Sequence, residues 1–93
     1  MMKMIVQYYV DVSGTSSERQ TKIIEYGKTL ENACKKIGCK FLGIKGPAND
    51  KYHFVAFIDA ADMTEGMRPF LETKRPEELF HIEFKFYGNV YPE

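Results

Sequence analysis

The segment from Thr15 to Gly38 constrains the chain more than any other. Apolar residues recur there at Ile23, Tyr26, Leu30, Ala33, Cys34 and Ile37, in steps of three and four that line one side of a helix. Lys22, Glu25, Lys28, Glu31, Lys35 and Lys36 cover the remainder. Thr15 with Glu18 three residues on fits a capping box, in which hydroxyl and carboxylate satisfy the free amide groups of a helix start. Lys35 and Lys36 complement the negative end of the helix dipole. Gly38 tolerates the left-handed conformation that ends a helix.

On either side of this helix the pattern changes to that of strands. Met4 to Val12 is rich in Val, Ile and Tyr and has no breaker. Met4, Val6, Tyr8, Val10 and Val12 form its core row; Ile5, Gln7, Tyr9 and Asp11 form the other, since side chains alternate along a strand. After Gly38, Cys39 to Lys45 reads as a second strand and Lys51 to Asp59 as a third. They are joined by the turn-forming stretch Gly46 to Asp50, so the two read as a hairpin. The third strand is apolar on both faces, as a central strand is. Tyr52, Phe54, Ala56 and Ile58 carry no charge and are assigned to the core, which leaves His53, Val55 and Phe57 on the opposite face.

Asp62 with Glu65 can cap a second helix. Gly66 and Pro69 fall inside it, and an interior Pro removes a hydrogen bond, so a short, broken helix is expected over Met63 to Thr73. Pro76 suits the first position of a further helical turn, PEELF. Ile82, Phe84 and Phe86 then alternate with His81, Glu83, Lys85 and Tyr87, a half-buried strand. Val90 and Tyr91 lie in a tail able to extend an edge.

Strand, helix, strand, strand, helix, strand is the split β-α-β order of ferredoxin-like folds. The expected fold class is therefore α+β: a four-stranded antiparallel sheet, the first and third strands central, with two helices on one face. A chain of 93 residues fits one such domain, residues 1–93. Its hydrophobic fraction of 44% is ordinary for a globular chain, which argues against disorder. Thirteen basic residues balance thirteen acidic ones, so there is no bulk attraction for phosphate backbones or anionic membranes. No apolar stretch approaches the length of a membrane span. MMKMIVQYYVDV, interrupted by Gln7 and Asp11, lacks the features of a secretory leader. A cytoplasmic location is the default expectation.

Cys34 and Cys39, in CKKIGC, lack both the second pair a zinc site needs and the redox spacing of Cys-x-x-Cys. They read as two reduced thiols; a disulfide is geometrically possible. Neither metal nor cofactor is expected.

The other face of the sheet, bare of helices, is where function would lie. Ile5, Gln7 and Tyr9 fall there from the first strand, Phe41 and Gly43 from the second, His53, Val55 and Phe57 from the third, and Glu83, Lys85 and Tyr87 from the fourth. Apolar surface around a few polar groups marks an interaction site. With this mixed face and the terminal HIEFKFYGNVYP, the chain resembles the dimeric α+β barrel superfamily. The resemblance spans nearly the whole chain and concerns element order and patterning. It implies two sheets packed face to face about a two-fold axis, in a superfamily that includes cofactor-free oxygenases, haem-degrading enzymes, small isomerases and ligand-sensing domains. The haem-degrading branch relies on a pocket Trp, and this chain has none.

The leading expectation is thus a homodimer, possessing between its sheets a chamber for a small molecule. His53 can act as general acid or base, oriented by Glu83, with Tyr9, Gln7 and Tyr87 holding a substrate and Phe57 supplying an apolar wall. The favoured reading of His53 and Glu83 is nonetheless that these groups satisfy one another at an interface without catalysing anything, since buried polar groups need partners in either case. A second expectation is a cofactor-free oxygenase or isomerase using that pocket. A third is an RNA-binding or adaptor module using an uncovered face. RNA-recognition domains share the element order, and DKYHFVAF matches their third-strand motif at Tyr52, Phe54, Val55 and Phe57. It departs from that motif at Asp50, Lys51 and His53, and it would need Tyr52 and Phe54 on the bare face for base stacking. Nucleic acid is therefore disfavoured.

Overall fold

A computed structural model describes residues 4–46 and 53–88. Within them the order is β1 (Met4–Val12), α1 (Ser16–Ile37), β2 (Lys40–Lys45), β3 (Phe54–Ala60), α2 (Met63–Leu71) and β4 (Leu79–Gly88). Residues 47–50 of the expected hairpin turn, with Lys51, Tyr52, Val90 and Tyr91, lie outside the described residues. The strands form one antiparallel sheet in the order β2-β3-β1-β4, so β1 and β3 are the inner strands.

The core forms on one side of the sheet. Val6, Tyr8, Val10 and Val12 of β1, and Phe54, Ala56 and Ile58 of β3, are all buried there. Tyr26, Leu30 and Cys34 of α1 join the same cluster. The row assignment made for β3 from the absence of charge holds at all three described positions. Each apolar side chain so buried contributes on the order of 1.5–3 kcal/mol. Tyr8 packs edge-on against Phe70 of α2 and Phe84 of β4, at ring separations of 5.6 and 5.3 Å, and those two rings meet each other at 5.1 Å.

Both helices begin as their side chains dictate. Thr15 accepts from the Glu18 amide, and the Glu18 carboxylate accepts from the Thr15 amide. Asp62 accepts from the Glu65 amide at 2.8 Å. α1 ends at Gly38, whose φ of 98° is left-handed and whose amide donates to the Cys34 carbonyl. α2 is one unbroken helix where a broken one was expected. Pro69 leaves the Glu65 carbonyl without its usual helical partner, but its ring is fully buried. Gly66 is what allows α2 to approach: a Cβ there would stand 2.2 Å from Val6 Cγ2. The buried Tyr8 hydroxyl donates to the Gly66 carbonyl at this contact.

Two further expectations are corrected. The turn expected as helix at Pro76 is a reverse turn, closed by the Leu79 amide on the Pro76 carbonyl at 3.1 Å. β4 therefore begins at Leu79, whose buried side chain seals the core. Phe41, expected on the bare face, instead packs on the core. The register shifts between Phe41 and Gly43, so that Phe41 lies opposite Ile58 and Gly43 opposite Phe57. That bulge adds a residue at Leu42 and breaks the strict alternation on which the expectation rested.

No helix among the described residues is long and apolar enough to cross a membrane.

Candidate functional site

The pairing registers arrange the bare face in rungs across the four strands. Lys40, Asp59, Ile5 and Tyr87 make the first; Gly43, Phe57, Gln7 and Lys85 the second; Lys45, Val55, Tyr9 and Glu83 the third. His53 and Asp11 follow on β3 and β1, with Phe80 paired to Asp11 from β4. Val55 is only 3% exposed although it points away from the helices. Phe57, Tyr9, Gln7 and Lys85 are half-buried, while Leu42, Phe80 and Tyr87 are among the exposed large apolar side chains.

The centre of the face is a linked group. The Tyr9 hydroxyl donates to Gln7 Oε1 at 2.6 Å, which leaves the amide nitrogen as the donor end of Gln7. Lys85 Nζ stands 4.4 Å from the centre of the Tyr9 ring, a cation–π contact. Phe57 lies across Gln7 and Glu83 across Tyr9.

His53 is held at one end of this group by two bonds to β1. Its amide donates to the Val10 carbonyl at 3.0 Å, and its Nδ1 accepts from the Val12 amide at 3.0 Å. The ring thus takes the place of the next backbone partner where the β1–β3 ladder runs out. An accepting Nδ1 places the proton of the neutral ring on Nε2. In that form His53 offers a ligand a donor rather than a base.

The carboxylate beside His53 is that of Asp11, not Glu83 as expected. Asp11 Oδ1 is 3.5 Å from His53 Nδ1, and Oδ2 is 3.3 Å from His81 Nδ1. His81 reaches Asp11 because β4 bulges between its pairings with Tyr9 and Asp11 and His81 adopts a φ of 51°. Sequence reasoning gave Asp11 no role and read His81 as an exposed residue rather than a ligand; His81 is exposed, and what was missed is that the two meet. Asp11 was legible, since it shares a row with Gln7 and Tyr9; the bulge that brings His81 to it carried no signal in the alternation.

The expected site is therefore divided. Gln7, Tyr9, Phe57 and Glu83 come together, and His53 lies one rung away. Tyr87 flanks the group at the other end: it pairs with Ile5, one rung beyond Gln7 and three rungs from His53, roughly 20 Å at the rise of a strand. One small molecule cannot touch both within a single protomer. Among the described residues, no group of three His, Cys, Asp or Glu side chains is arranged to hold a metal ion. Comparison with protein-family models, with curated proteins and with solved structures returned no match.

Proposed function

We propose that the bare sheet face is the functional surface: two copies of this chain pack through it, in a ferredoxin-like arrangement closed as a dimeric barrel, and hold a small molecule between them. The observation that carries this reading is the apolar surface of the face, where Phe80 and Tyr87 stand exposed at either end of the half-buried Phe57 and the Tyr9–Gln7–Lys85 group. Surfaces of this composition are interaction sites. The charges favour a second copy as the partner. Lys40, Lys45 and Lys85 stand on the face with Asp11, Asp59 and Glu83, and a balanced face can be complementary to itself about a two-fold axis. Phe54, which base stacking would require on this face, lies in the core instead, which weighs against the RNA alternative.

The polar groups near the centre also favour a class of ligand. The Gln7 amide nitrogen, Lys85 Nζ and His53 Nε2 are donors, so a compound bearing a carboxylate or carbonyl is the best fit. The role of His53 in this reading is to bind and orient. Thermal-shift screening with small carboxylates and carbonyl compounds tests it. A compound that raises the melting temperature of the wild type, and does so less for His53→Ala and Lys85→Ala, is the expected result. Hits that stabilise all three proteins equally would place the ligand elsewhere.

A further inference from the structure

The junction between α1 and β2 brings together two groups that the sheet face does not use. Gly38 ends α1 in the left-handed conformation, and its amide bonds back to the carbonyl of Cys34. In helix ends of this kind, the residue following the glycine meets the one whose carbonyl accepts that bond, or its neighbour one residue earlier. Here those positions are Cys39 and Cys34, and Cys39 packs against the buried cluster that contains Cys34. Cys34 is buried in the core cluster, whereas Cys39 is only partly buried and lines a shallow recess with Lys40, Asp59, Ala61 and Glu65. One thiol of the pair is open to a small reagent from outside, and the other is reachable only through the first.

We propose that Cys34 and Cys39 form a reversible intramolecular disulfide by exchange with low-molecular-weight disulfides, Cys39 being the entry point and Cys34 the resolving thiol. The Cys39 thiolate attacks one sulfur of the incoming disulfide, whose S–S bond breaks and releases one thiolate. Cys34, after losing its proton to water, attacks the Cys39 sulfur of the mixed disulfide and expels the second thiolate. The protein gives up two electrons and two protons, and the reagent becomes two thiols. The helix end keeps the two side chains adjacent, which makes the second step intramolecular and faster than the first. Burial pushes both thiols above their ordinary range, so the exchange is slow near neutrality and quickens as pH rises. The product ties the last turn of α1 to the start of the edge strand β2.

The test uses the intact protein in mixtures of glutathione disulfide and glutathione, with alkylation and mass measurement of the products. The wild type is expected to lose both alkylatable thiols together, with a mass lower by two hydrogens and no lasting glutathione adduct, and to recover them in excess glutathione. Cys34→Ser is expected to accumulate the adduct on Cys39, and Cys39→Ser to stay unmodified while folded. The wild-type rate is expected to rise severalfold from about pH 7 to about pH 9. A wild type that stops at the mixed disulfide, or that keeps both thiols in native buffer while oxidising in denaturant, would overturn the proposal.

Discussion

At the scale of the residue, His53 shows how a group that reads as catalytic in the sequence takes on a structural task. Its Nδ1 serves the Val12 amide, a role that an Asn Oδ1 can copy because it sits the same number of bonds from the backbone. His53→Asn is expected to keep the Val12 amide protected from hydrogen exchange, while His53→Ala exposes it and costs about 1 kcal/mol. Equal protection in the two variants would remove this role. Gly66 is the sharper case. A methyl group there meets Val6 at 2.2 Å, and overpacking of this kind destabilises by about 1–3 kcal/mol. Gly66→Ala should lower the urea midpoint accordingly; an unchanged midpoint would show that α2 can shift away. The glycine was visible in the sequence as a helix breaker, but its contact with Val6, sixty positions earlier, was not. Local propensity carries no information about which surface a helix approaches.

At the scale of the element, the boundaries that side chains enforce were legible and those that backbone irregularity enforces were not. Thr15, Glu18 and Gly38 delimit α1 as their chemistry requires, and β1 runs from Met4 to Val12 as its alternation indicates. Thr15→Ala removes the acceptor for the Glu18 amide and should cost about 1 kcal/mol, seen as a lower melting temperature. No change would mean that the helix end draws its stability from packing alone. Two of the misread places share one cause. At Leu42 in β2, and between the pairings of Tyr9 and Asp11 in β4, a bulge inserts a residue, so a period of two no longer tells the faces apart. Phe41 changed sides for that reason, and Asp11 acquired His81. Pro69 was misread differently: its missing amide argued against a continuous α2, but the burial of its ring offsets the lost bond.

At the scale of the whole molecule, the core sets the alkaline limit of stability. Burial raises Tyr8, Tyr26, Cys34 and Cys39 above their ordinary values of 10.0 for the phenols and 9.0 for the thiols. A folded state that holds these protons more tightly than the unfolded chain is stabilised below those values and loses that advantage as pH rises through them. The urea midpoint should therefore fall above about pH 9, and less steeply in Cys34→Ala. A midpoint flat to about pH 11 would mean that these groups ionise without unfolding the chain.

The same scale decides what the bare face is for. Its inner rows were legible: Gln7, Tyr9, Phe57 and Glu83 stand together as the alternation indicated. The distance between Tyr87 and His53 was not, because a list of residues on one face says nothing of their rungs. Whether a second copy covers that face is answered most directly by solution mass, measured by light scattering on a size-exclusion column over a wide range of concentrations. A species of twice the 10.8 kDa chain mass, which reverts to monomer when Phe57 is replaced by Glu, is expected. A mass of one chain at every concentration would contradict self-association and leave the aromatic face open to water.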